Sequence, residues 1–107
     1  MTVSLVPRTD DIDVCLVLDE LKTHGQVWRE IDGGLANEAT VIEWIIEGQF
    51  NKPVQIVAFN TAEGWSRDVT EDIAGKLLDL NRQGTALGEA ARDFVERVTG
   101  ERPIVAV

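Results

Sequence analysis

The sequence predicts an α+β fold: a two-layer sandwich of helices on a mixed, three- to four-stranded sheet, in the order β-β-α-β-α-α. Three observations carry this. Two short apolar runs rich in β-branched residues, the continuous Val14–Leu18 and the weakly alternating Val54–Phe59, have the length of strands. Two later segments space their apolar residues three and four apart, as helices do. An early hairpin whose second strand leads through a helix into a third strand combines antiparallel with parallel pairing.

Residues 1–12 read as a lead-in that is loose or lies at a sheet edge. Val3 and Leu5 alternate with Thr2 and Ser4, but Pro7 cannot donate to a ladder and confines any strand to an edge or an end. Asp10, Asp11 and Asp13 suit a solvated turn. Val14-Cys15-Leu16-Val17-Leu18, bounded by Asp13 and by Asp19-Glu20, reads as a strand covered on both faces. The polar stretch from Glu20 to Gly25 connects it to a second strand, Gln26–Ile31. There Val27, Arg29 and Ile31 share one side and Trp28 and Glu30 the other, and the partly polar face points to an edge position.

Asp32-Gly33-Gly34 stops that strand. Asn37 suits a helix N-cap, because its side chain can accept from an orphan amide of the first turn. Val41, Ile42, Trp44, Ile45 and Ile46 then make a wide apolar helix face. Gly48 suits the left-handed residue that ends a helix, with Phe50 folding back on the last turn. The third strand, Val54–Phe59, alternates weakly and belongs in the sheet interior. A right-handed crossover with parallel strands is expected between the second strand and this one.

Val69, Ile73, Leu77 and Leu80 form the next helix face, which ends at Asn81–Gly84. Asp68 and Glu71 have the spacing of a capping box. Gly75 costs that helix about 1 kcal/mol relative to Ala, so close packing is the expected reason for it. Leu87, Ala90, Ala91, Phe94, Val95 and Val98 make the stripe of a last helix, stopped by Gly100 and Pro103. Residues 101–107 are a tail, whose apolar end either pairs with a sheet edge or hangs loose.

The chain has 107 residues, one ordinary domain over 1–107. It is 44% hydrophobic and 27% charged, which is globular rather than disordered. A single cysteine, Cys15, can make neither an internal disulfide nor a Cys-rich zinc site, and it sits in an apolar run as a core residue would. There is no apolar stretch of membrane-spanning length and no basic start followed by an apolar run. The expected setting is the cytoplasm, with no membrane contact. The net charge of −9 repels a phosphate backbone, so nucleic acid is not an expected partner. A basic protein partner is the specific alternative to an acidity that serves only solubility.

There is no P-loop, dinucleotide glycine fingerprint, HExxH, EF-hand loop or GxSxG, so no cofactor, metal or catalytic residue is assigned. His24, alone beside Gly25, reads as a solvated turn residue. Asp10, Asp11 and Asp13 lack the ligand alternation of a calcium loop.

The candidate ligand site is the loop 60–68, expected to leave the end of a central strand and to enter a helix N-terminus. Orphan amides and Arg67 would attract an anion there, with Asn60, Thr61 and Ser66 as polar contacts and Trp65 as a wall. The competing reading is structural: Asn60 closes the strand, Gly64 turns, Trp65 packs, Asp68 caps and Arg67 pairs with a carboxylate.

Two functions stay open. The favoured one is a small non-enzymatic binding or interaction protein that self-associates as a homodimer, given the surplus apolar surface of the first helix. The alternative is binding of a small anionic ligand, or modest enzymatic activity, at the 60–68 loop. The segment from Pro53 to Ala74, with Val57-Ala58-Phe59-Asn60-Thr61-Ala62-Glu63-Gly64-Trp65-Ser66-Arg67-Asp68 at its centre, resembles a family of short uncharacterised bacterial proteins, as do Val17-Leu18-Asp19 and Asp93-Phe94-Val95-Glu96. The resemblance implies a bacterial cytoplasmic context and no activity.

Overall fold

A computed structural model describes residues 14–23, 25–30, 38–60 and 63–104. The lead-in 1–12, His24, Ile31, the Asn37 cap and residues 105–107 lie outside the described residues. The described chain is α+β: strands β1 (Val14–Leu21), β2 (Gly25–Glu30), β3 (Pro53–Asn60) and β4 (Trp65–Asp68), and helices α1 (Glu38–Ile46), α2 (Thr70–Arg82) and α3 (Glu89–Thr99). The strands form one sheet in the order β2-β1-β3-β4. The hairpin β1–β2, the edge position of β2 and the interior position of β3 match the sequence reading.

The sheet is antiparallel at every described pairing, not mixed. β3 runs in the same direction as β2, as a crossover requires, but it pairs with β1 instead. The reason lies in β1. Its apolar run supports neighbours on both sides, so the half-polar β2 keeps the edge and β3 takes the free side. A second departure is β4. Trp65-Ser66-Arg67-Asp68 pairs with β3 from Asn60↔Trp65 to Val57↔Asp68, closing a tight hairpin. Its polar composition gives no strand signal.

Burial follows the two-residue period of a strand. Cys15, Val17, Ile56 and Ala58 point to one side, fully buried, and join Val41 and Ile45 of α1, Ile73 and Leu77 of α2, and Phe94 and Val95 of α3 in one core. Leu16, Leu18, Val57 and Phe59 alternate with them and are only half-buried, outside that core. So among the described residues the core buries β1 fully on one face, while the other face is half-buried.

The surplus apolar surface of α1 goes largely into this core. Val41 and Ile45 are buried, while Ile42, Trp44 and Ile46 pack against the cluster. Gly48 has φ 78°, a region open to glycine, and the Gln49 amide reaches back to the Trp44 carbonyl at 3.0 Å. Phe50 is buried, with its ring centroid 6.3 Å from that of Trp44. α2 begins where the sheet ends. The Thr70 hydroxyl accepts from the Ile56 amide at 2.9 Å, and the Val69 amide donates to the Ile56 carbonyl at 2.9 Å. Both bonds continue the β3–β4 ladder one step past β4. Close packing does not explain Gly75, because a Cβ there would meet nothing within 4 Å.

The least expected core member is Asp19, which is 0% exposed. The register of β1 against β3 shifts between Leu18 and Asp19. Asp19 accepts from the Lys52 amide at 2.7 Å, the Asn51 amide at 3.0 Å and Arg29 at 3.0 Å. A buried carboxylate needs such partners to offset its lost hydration.

Candidate functional surfaces

The 60–68 segment is a hairpin, not a strand-to-helix loop. The chain leaves β3, reverses, and runs back beside it as β4 before α2 starts at Thr70. Asn60 is buried, and its Oδ1 accepts from the Glu63 amide at 2.9 Å while its carbonyl accepts from the Gly64 amide at 2.8 Å. Gly64 takes φ 75°, so the turn needs a residue free of a Cβ there. Thr61 lies outside the described residues.

The register divides the candidate residues between the two faces of the sheet. Trp65 is paired with Asn60 and Arg67 with Ala58, which puts them on the helix side, while Ser66, paired with Phe59, faces the other way. Trp65 packs against the core and donates from Nε1 to Glu63 at 2.7 Å. The Arg67 guanidinium lies 5.4 Å from the Trp65 ring centroid and 3.7 Å from Glu38. Glu38 also takes Lys76, at 2.9 Å. The structure therefore gathers Asn60, Trp65 and Arg67, adds the carboxylates Glu63 and Glu38, and leaves Ser66 on the opposite face. Arg67 keeps 58% of its side chain exposed, so its attraction to Glu38 is well screened.

The first turn of α2 is acidic. Its Thr70 amide donates to Asp68 at 2.8 Å, and Glu71 and Asp72 follow. Partial desolvation pushes the Asp68 carboxyl up, but bonds from the Thr70 hydroxyl and amide and from Gln55 outweigh it and hold the group below its ordinary value. The Gln55 bond measures 2.8 Å. These groups, with Val54 and Val98, line an open cleft of about 720 Å³. A cleft of about 350 Å³ lies between Lys52, Glu20 and Asp93. Neither is lined by Trp65 or Arg67.

Among the described residues, no group of three or more His, Cys, Asp or Glu side chains is placed to hold a metal ion. No described helix is long and apolar enough to cross a membrane. Cys15 is buried in the core.

The sheet face turned away from the core cluster is the surface that sequence reasoning missed. It carries Leu16 and Leu18 of β1, Val57 and Phe59 of β3 and Trp28 of β2, in a register that sets Leu18 beside Trp28 and Leu16 beside Val57. Trp28 is 49% exposed, in the edge strand. Polar positions bound the strip: Gln26, Glu20, Gln55, Ser66 and Asp68. The signal was present in the alternation of the strands, but the apolar runs read as fully covered. No protein family, no curated protein and no solved structure matches this chain.

Proposed function

We infer that the three helices form one layer over the Cys15 side of the sheet, and that the other side is the working surface of a small non-enzymatic interaction protein that self-associates. The observation that carries this is the apolar strip just described, with the half-exposed Trp28 at its edge. Half-buried apolar area that ends in an exposed tryptophan and is rimmed by polar side chains suits an interface. A tryptophan among its residues suits it further, since tryptophans anchor many contacts.

Light scattering on the eluting protein, at micromolar and then millimolar concentration, tests the reading. A species of twice the chain mass that grows with concentration supports it. Leu18→Lys, which places a charge within the strip, shifts the equilibrium to monomer. A strict monomer at millimolar concentration overturns it.

Arg67 supports a second reading, a small anion held on the helix side of β4. Its guanidinium is exposed and stacked on Trp65, a preset orientation for an anionic ligand. Glu38 and Glu63 beside it oppose an anion, which makes this the weaker proposal. A thermal-shift screen with inorganic phosphate, sulfate and small carboxylates tests it. Equal midpoint shifts for the wild type and Arg67→Ala remove the idea.

A further inference from the structure

We propose that the partner is a second copy of this chain, joined edge to edge through β2 into one continuous sheet across a two-fold axis. This rests on the self-association reading above and sets the contact at the β2 border of that surface, around Trp28, rather than across the face itself.

Among the described strands the sheet ends at β2. Among the described residues β2 pairs with β1 alone, so no described strand meets its outer edge. Exposed edges of this kind recruit other strands unless something blunts them. The usual devices are a proline, a lysine row, a bulge or a very short strand. β2 reads Gly-Gln-Val-Trp-Arg-Glu over six residues, with no proline and no lysine, and its pairing with β1 is regular. Its one basic side chain, Arg29, is turned to the buried Asp19 at 3.0 Å and lies 5.3 Å from the Phe50 ring centroid. It is therefore not free to act as a guard on the edge. By contrast the other edge, β4, is four residues long and contains Arg67 and Asp68.

Charge also favours a copy at this edge. The chain carries −9 overall, so most of its surface repels a second copy. β2 holds one basic and one acidic residue and is neutral as a segment. Two copies can meet here without stacking like charges.

Symmetry then limits the register to pairs of the same parity. In an antiparallel pair, directly opposed residues share a sheet face, so a two-fold through β2 must oppose even positions to even ones. With Trp28 opposite its own copy, Gln26 falls opposite Glu30 and Val27 opposite Arg29. No two acidic positions face each other, and the exposed indoles come together at the axis. Cross-strand aromatic pairs are among the stabilising ones. The same operation sets the two Leu16–Leu18–Val57–Phe59 strips side by side, so that each extends the other on one face.

Cysteine cross-linking in the full chain tests this with Trp28 retained. Directly opposed residues of a ladder lie within disulfide reach. A mixture of Gln26→Cys and Glu30→Cys chains, mildly oxidised, is expected to yield a cross-linked pair, while either variant alone stays largely uncross-linked. The native Cys15 is fully buried and serves as the internal control, since the wild type should not cross-link. Trp28→Lys should lower the dimer fraction at least tenfold while keeping the circular dichroism of the wild type. If light scattering shows a dimer but the mixture cross-links no more than its separate components, the edge-to-edge contact is wrong and the self-association reading survives. A chain that stays monomeric at millimolar concentration defeats both.

Discussion

Asp19 and Arg29 meet across the β1–β2 pair at 3.0 Å, the acid fully buried and the base with 39% of its side chain exposed. This asymmetry decides what each contributes. Arg29 can be rehydrated when its partner is lost. Asp19 cannot, and it also terminates the Asn51 and Lys52 amides that turn the chain into β3.

Asp19→Ala is therefore expected to be the most damaging polar substitution among the described residues. It leaves two backbone amides and a guanidinium without their acceptor, and removal of one partner from such a buried group costs about 3–5 kcal/mol. Asp19→Asn should cost less, since its one carbonyl oxygen can still accept from Lys52. Arg29→Ala should cost about 1–2 kcal/mol, partly from the packing lost over Phe50. Urea denaturation of the three variants checks the ranking, and an Arg29→Ala loss larger than that of Asp19→Ala contradicts it.

Asp68 gives the expected pH dependence. Its folded carboxyl is held below the ordinary value of 3.8. A depressed acid contributes stability that is present above the unfolded pKa and is lost as pH falls through the folded one. The stability difference between wild type and Asp68→Asn should accordingly be constant from neutral pH to about pH 5 and shrink below about pH 4. A gap that widens on acidification reverses the sign and refutes the assignment.

Gly75 is the expected site for gain. It lies inside α2, with open space where a Cβ would stand. Gly75→Ala should stabilise the chain by about 1 kcal/mol, through helix propensity and a less flexible unfolded chain. That corresponds to a thermal midpoint roughly 5 °C higher. An unchanged or lower midpoint shows that the glycine serves a purpose the packing does not explain.

Asn81 pins the start of the tail. From the last turn of α2 it accepts the Ile104 amide at 3.0 Å and donates to the Ile104 carbonyl at 2.9 Å and the Thr85 carbonyl at 3.2 Å. Asn81→Ala should cost about 1–2 kcal/mol and speed amide exchange at Ile104. Exchange there that matches the wild type would mean the anchor lies elsewhere.

The sequence made visible what local periodicity encodes. Six of the seven described elements were legible: β1 and β3 from their apolar runs, β2 from its mixed alternation, and the helices from their three- and four-residue spacing. β4 was not, because Trp65-Ser66-Arg67-Asp68 has neither an apolar run nor β-branched residues; Asn60 and Gly64 carried its only trace, as turn chemistry. Parallel pairing was expected because a strand, a helix and a strand usually close on each other, a rule that does not see a preceding hairpin offering a better neighbour. Asp19 looked like a polar flank, since the amides that receive it come from a turn far along the chain. Arg67 was readable as a cation but not as the partner of Glu38, which lies on another element. Trp28 read only as sharing one side of β2 with Glu30, and the register sets it beside Leu18.

The position of β1 between β2 and β3 also orders the assembly of the molecule during synthesis. A nascent chain that has released only β1 and β2 holds a two-stranded hairpin, which is marginal in water on its own. The second neighbour of β1 emerges only after α1, and closing that larger loop costs entropy before any contact returns it. Until Asn60 is free of the ribosome, the side of β1 that β3 will occupy has no strand beside it.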